Sequence, residues 1–168
     1  MATSELENEL LDDVDFILEI QRIAVINAAV DGIRYLRGIS PVYTGWYAAN
    51  HRVELNQSPV ILSPSTRPPD SARFNPIAPS AEELVQQALP TLLKYQFTDS
   101  IVMKNTVPYA DKVELGTPTV PEGLFYARAE QLINETIRVS FAKLKGTGAN
   151  AVRKRNRGTA RFRTTVKP

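Results

Sequence analysis

Apolar residues return every three or four positions over the first third of the chain: Leu6, Leu10, Val14, Ile17, Ile20 and Ala24, then Ile23, Ile26, Val30 and Ile33. That spacing predicts one amphipathic helix from about residue 4 to residue 38. Ser4 with Glu7 forms a capping box at its start, and Gly38, followed by Ser40 and Pro41, supplies a stop. Unbroken, such a helix would be roughly 50 Å long at 1.5 Å per residue, longer than a small domain is wide. Either it breaks near Asp12 to Asp15, or its first turns overhang the domain and pack on a neighbour.

Beyond Pro41 the period changes. Val53 and Leu55, then Val60 and Leu62, predict short strands, with Pro59 confining one of them to an edge or a bulge. Residues 63–79 hold five prolines and no periodicity, which reads as a long surface loop. Ser80 and Glu83 form a second capping box, opening a helix that Pro90 strains or ends. The run DSIVMKN supplies another strand, and Pro108 must end it, because proline cannot donate to a ladder. Tyr109, Ala110, Val113 and Glu114 suit one or two helical turns closed by Gly116, and Pro118 and Pro121 prevent continuation. Leu124, Ala127, Leu132, Ile133, Ile137, Phe141 and Leu144 then mark a final amphipathic helix ending at Gly146.

The fold class that follows is α+β: a long N-terminal helix, a small antiparallel sheet, a middle helix and a long C-terminal helix, with extended termini. Residues 1–145 read as a single domain with a loop insertion at 63–79, and residues 146–168 as a flexible basic C-terminal extension. A length of 168 residues with 43% hydrophobic content fits one core better than two.

Composition narrows the chemistry. The absence of cysteine excludes disulfides, thiolate catalysis and sulfur-ligated zinc. No apolar run approaches the roughly 20 residues that span a bilayer, and the acidic start is unlike a secretory signal, so a soluble, non-exported protein without membrane contact is expected.

Charge is split between the ends. Glu5, Glu7, Glu9, Asp12, Asp13, Asp15 and Glu19 occupy the first 20 residues with no Lys or Arg among them, whereas no acid follows Glu135. The basic end includes Arg153, Lys154, Arg155, Arg157, Arg161 and Arg163. These side chains suit either a phosphate backbone, with Phe162 stacking on an exposed base, or the acidic pole of a neighbouring subunit.

No catalytic set emerges. His51 is the sole histidine and reads as a surface or satisfied structural residue. Asp111 and Glu114 would share a helical face, but nothing beside them suggests a sugar site. Gly146 to Gly148 lack the rest of a nucleotide fingerprint, and Asn134 to Thr136 match a glycosylation acceptor only formally. No enzyme activity, cofactor or metal is expected.

Two segments carry a resemblance. Ser40, Pro41, Val42, Thr44 and Gly45 after the first helix, then Asn105, Tyr109, Ala110, Glu114 and Gly116 before a proline-led final helix, resemble the neck and minor tail protein family of tailed bacteriophages, which includes tail-completion proteins. Tyr43 stands where that pattern has an acid, and Trp46 where it has an arginine; the loop at 63–79 is additional. The resemblance implies a structural virion protein of the neck or tail, made in the host cytoplasm, that completes the tail or joins head to tail. It would form part of a homo-oligomeric, hexameric ring around the DNA channel, touching other neck, connector or tail-tube proteins. Pro41, Thr44, Gly45, Trp46, Tyr109, Glu114 and Gly116 become the subunit-interface or structural motif. For Tyr109, packing on its own final helix and facing a neighbour stay equally open. A nucleic-acid-binding protein acting through its basic tail is the alternative.

Overall fold

The computed structural model describes the backbone from residue 2 to residue 155 except 44, 57–62, 70, 73–75 and 119–120, and side chains within residues 11–144 of those segments. The architecture is α+β, as the periodicities predict. Its elements run α1 (Ala2–Ile39), a 3-10 turn (Ala48–Asn50), β1 (His51–Leu55), α2 (Ala81–Leu92), β2 (Ile101–Asn105), α3 (Ala110–Leu115) and α4 (Phe125–Arg155). The strand expected around Val60 and Leu62 lies outside the described residues, as does Thr44.

α1 is one helix of 38 residues, about 57 Å long at 1.5 Å per residue. It does not break at Asp12 to Asp15. It also passes Gly38 and stops at Ser40, whose amide and hydroxyl both bond the Leu36 carbonyl, at 3.0 and 2.5 Å, while Pro41 offers no amide to continue. Residues 11–19 are exposed, so the first turns overhang the domain. α2 opens on the expected capping box: the Glu83 amide donates to Ser80 Oγ (3.1 Å) and the Ser80 amide to Glu83 Oε2 (2.6 Å). Pro90 sits inside its last turn, and the helix ends two residues later.

β1 and β2 pair antiparallel with His51 opposite Asn105 and Leu55 opposite Ile101. Alternation places Val53, Leu55, Ile101 and Met103 on the face that joins the core. That core is centred on Ile26, Val30 and Ile33 of α1, Leu84, Val85 and Leu92 of α2, and Tyr95. On the other face, Lys104 Nζ lies 2.7 Å from Glu54 Oε1. The pair is not aligned as a hydrogen bond, so its contribution is coulombic.

α4 packs against α1 with little room between the backbones. A Cβ at Gly32 would lie 2.5 Å from Ile133 Cδ1, the flexible end of a side chain that would have to shift, so the Ile133 side chain of α4 seats against the backbone of α1 here. Ala28, Ala29 and Ala129, all buried, continue the same closeness. The stop expected at Gly146 is not used: α4 runs through Gly146 and Gly148 to Arg155. Arg153, Lys154 and Arg155 are therefore helical, while Arg157, Arg161, Phe162 and Arg163 lie outside the described residues. Among the described residues no helix is long and apolar enough to cross a membrane.

Candidate functional site: the junction of α1, β1, α3 and α4

Gly45, Trp46, Tyr109, Glu114 and Gly116 of the motif singled out from sequence lie around one junction. Gly45 adopts φ 79°, and a side chain there would fall onto the Ile77 carbonyl, so the turn after α1 and the far end of the proline-rich loop meet across a bare backbone. The next residue, Trp46, donates its indole N–H to the Ser65 carbonyl at 2.7 Å. Pro41 is exposed within the same turn.

Asn50, with no exposed surface, holds the near end of that loop. Its Nδ2 donates to the Trp46 carbonyl (2.6 Å) and to Ser65 Oγ (2.9 Å), and its Oδ1 accepts the Ser65 amide (2.8 Å). The Thr106 amide adds a bond to the Asn50 carbonyl at 3.2 Å. A buried amide side chain used at both its oxygen and its nitrogen is a satisfied hub, and its loss would strand several partners at once. Arg37 closes the loop's other end by donating Nε to the Pro79 carbonyl at 2.5 Å.

Aromatic rings fill the junction. Tyr109 lies between Trp46, at 5.7 Å between centroids, and Tyr47, at 6.5 Å and nearly parallel. Tyr47 in turn meets His51 and Phe125 edge-on. Tyr109 thus packs on two rings of the turn after α1 and is itself half-buried. Burial, with Glu114's charge behind it, raises the Tyr47 phenol well above its ordinary range; its hydroxyl is buried without a hydrogen-bond partner.

Asn105 links strand to junction. Its Nδ2 donates to the Tyr47 carbonyl (2.8 Å), and its Oδ1 accepts the Val107 amide (3.1 Å), turning the chain into α3 before Pro108. Glu114, near the end of α3, then accepts the Tyr126 amide at Oε1 (2.7 Å), in the first turn of α4. A carboxylate there satisfies an otherwise free helix amide and complements the helix dipole. The backbone repeats the link, since Gly123 and Leu124 both donate to the Glu114 carbonyl at 3.1 Å. Gly116 closes α3 at φ 78°, and Leu124 takes φ 51°, a conformation costly for leucine that these bonds hold in place.

His51 joins three elements. Ser40 Oγ already donates its single proton to Leu36, so it accepts from His51 Nε2 (2.7 Å). His51 Nδ1, left with its lone pair, accepts the Tyr126 hydroxyl (2.6 Å). Burial, reinforced by Arg37 and Arg52, pushes the imidazole down to about 4, so the neutral ring is the resident form. A serine committed to its own helix and a histidine committed to tyrosine form a lock between α1, β1 and α4.

Sequence reasoning reached Gly45, Tyr109, Glu114 and Gly116 but passed over Asn50, Tyr126 and the Ser40–His51 link. Only the isolation of His51 in the composition hinted at the last. Among the described residues no three metal-ligating side chains converge. No known family model, curated protein or solved structure matches the chain.

Proposed function

We propose that this chain is a structural protein of the neck or tail of a tailed bacteriophage. It acts in tail completion or head-to-tail joining, as one subunit of a ring around the DNA channel of the virion. The observation that supports this reading is the role taken by the residues of the shared pattern. Gly45, Asn105, Glu114 and Gly116 shape or cap backbone around one junction, and Tyr109 packs its ring there on Trp46 and Tyr47. A pattern made of joints rather than reactive groups suits a protein that works by shape. The exposed overhang of α1 leaves apolar and acidic side chains outside the subunit's own core, as ring subunits need in order to meet neighbours.

Negative-stain imaging of the purified full chain tests it: a ring with a central hole is expected. Removing everything after Lys145 should lower the yield of infectious particles while the subunit still folds, and an unchanged yield would count against a role for that segment. The second reading, nucleic-acid binding, is favoured by the acid-free run after Glu135. A monomer that binds DNA with a steep salt dependence would establish it in place of the ring.

A further inference from the structure

Leu11, Val14, Ile17 and Leu18 are 61, 46, 46 and 42% exposed on the overhang of α1. At 3.6 residues per turn they share one side of the helix, and Leu11, Val14 and Leu18 have the spacing of anchors that dock in a groove. Phe16 and Ile23, also exposed, lie toward the opposite side. A helix with apolar residues on every side belongs inside a larger core.

A groove of matching character opens between α1, β2 and α4. It measures about 440 Å³ and is walled by Val25, Ala29, Ile101, Met103, Ile133 and Ile137. That volume is in the range of sites that take several aliphatic side chains. The subunit's own overhang cannot fill it. Val14 and Val25 lie on one unbroken helix, about 16 Å apart along its axis, and bringing the first to the second would require α1 to break.

Charge identifies the occupant as an acidic helix. Past Arg138, which pairs with Glu135 at 2.7 Å, α4 carries Lys143, Lys145, Arg153, Lys154 and Arg155 with no acid, while the overhang carries Asp12, Asp13 and Asp15 ahead of Glu19, which pairs with Arg22 at 2.8 Å. Of the two acids at the groove, Asp99 is held by Asn56 and the Gln96 amide, and Glu130 stands at the end nearer the start of α4. The incoming acids therefore lie toward the C-terminal half of α4.

We infer that the α1 overhang of one copy docks in the α1–β2–α4 groove of a second copy, its apolar stripe in the groove and its acids along the basic half of α4. The two surfaces differ, so the contact is heterologous: it closes a ring where its rotation closes, and gives an open filament or an exchanged pair where it does not. This rests on the ring reading and names the surfaces that join neighbours.

The absence of cysteine makes the test direct. Full chains carrying Val14→Cys and Asn134→Cys are mixed and mildly oxidised. The expected product is a disulfide between the two chains, on the order of tenfold more abundant than with a Leu115→Cys partner, whose cysteine lies on α3. The triple variant Leu11→Asp, Val14→Asp, Leu18→Asp should keep its helix content, because these side chains are exposed, and should need about tenfold or more higher concentration to assemble. Equal cross-linking to both partners, or assembly indifferent to the triple substitution, overturns the contact; a ring that persists through it leaves the ring reading standing. A monomeric wild-type chain at every concentration overturns the contact too. A cross-linked pair of only two copies supports the contact and removes the ring.

Discussion

The Glu114 carboxylate accepts the amide hydrogen of Tyr126 at 2.7 Å, so a side chain of the shortest helix caps the first turn of a helix of 31 residues. Replacing Glu114 with Ala removes both the acceptor and the negative charge at that helix start. A loss of about 1 to 2 kcal/mol in urea unfolding is expected. Glu114→Gln, which keeps an acceptor without the charge, should recover part of it. Equal stability of all three proteins would show that the backbone bonds to the Glu114 carbonyl suffice.

His51 gives the fold a pH dependence with a defined sign. The folded imidazole titrates near 4 and the unfolded one near 6.5, so between these values the unfolded chain binds a proton that the folded chain does not. The neutral lock is fully present above pH 6.5, and stability falls as pH drops through the window to 4. The slope is about 1.4 kcal/mol per pH unit, for a total of about 3 kcal/mol. Denaturation midpoints of the wild type and His51→Gln, measured from pH 7 to pH 4, should diverge in slope, with the variant nearly flat above pH 5. Parallel curves would reject the assignment.

Gly45 and Asn50 hold the two ends of the proline-rich loop, and they fail in different ways. Gly45→Ala must adopt φ 79° and displace the Ile77 carbonyl, which costs about 1 to 3 kcal/mol of global stability.

Asn50→Ala strands the Ser65 amide and the Trp46 carbonyl. About 1 to 3 kcal/mol is lost, and brief treatment with a broad-specificity protease such as proteinase K should nick the loop at 63–79 sooner than in the wild type. If the loop is nicked at the same rate in both, Asn50 does not hold it.

Much of the fold was legible because α1, α2 and the two strands carry unmixed periods, and Ser80 with Glu83 is a local signal read within three residues. The departures share a physical cause. Of the two outcomes open at Asp12 to Asp15, the break is the one not used, because aspartate costs a helix under about 0.7 kcal/mol per residue and neither glycine nor proline stands there. Gly146 was taken as a stop, but a helical glycine costs only about 1 kcal/mol and ends a helix only when a left-handed cap follows. At the junction, Gly45 and Gly116 announced themselves because turns are local. Asn50 and Tyr126 did not, because their partners lie 15 and 75 residues away and a buried amide leaves no periodic trace.

The unbroken length of α1 makes it a lever. Its close crossing with α4 at Gly32 is the natural fulcrum, with about 31 Å of rod from there out to Leu11 and about 12 Å back to Ser40. A sideways shift of 3 Å at the tip of a rigid rod becomes roughly 1 Å of opposite movement at Ser40, about the margin that separates a made hydrogen bond to His51 from a broken one. A load on the overhang would thus reach Ser40 and, through His51, Tyr126 of α4 along one continuous rod, opposed by the packing of Ile26, Val30 and Ile33 in the core.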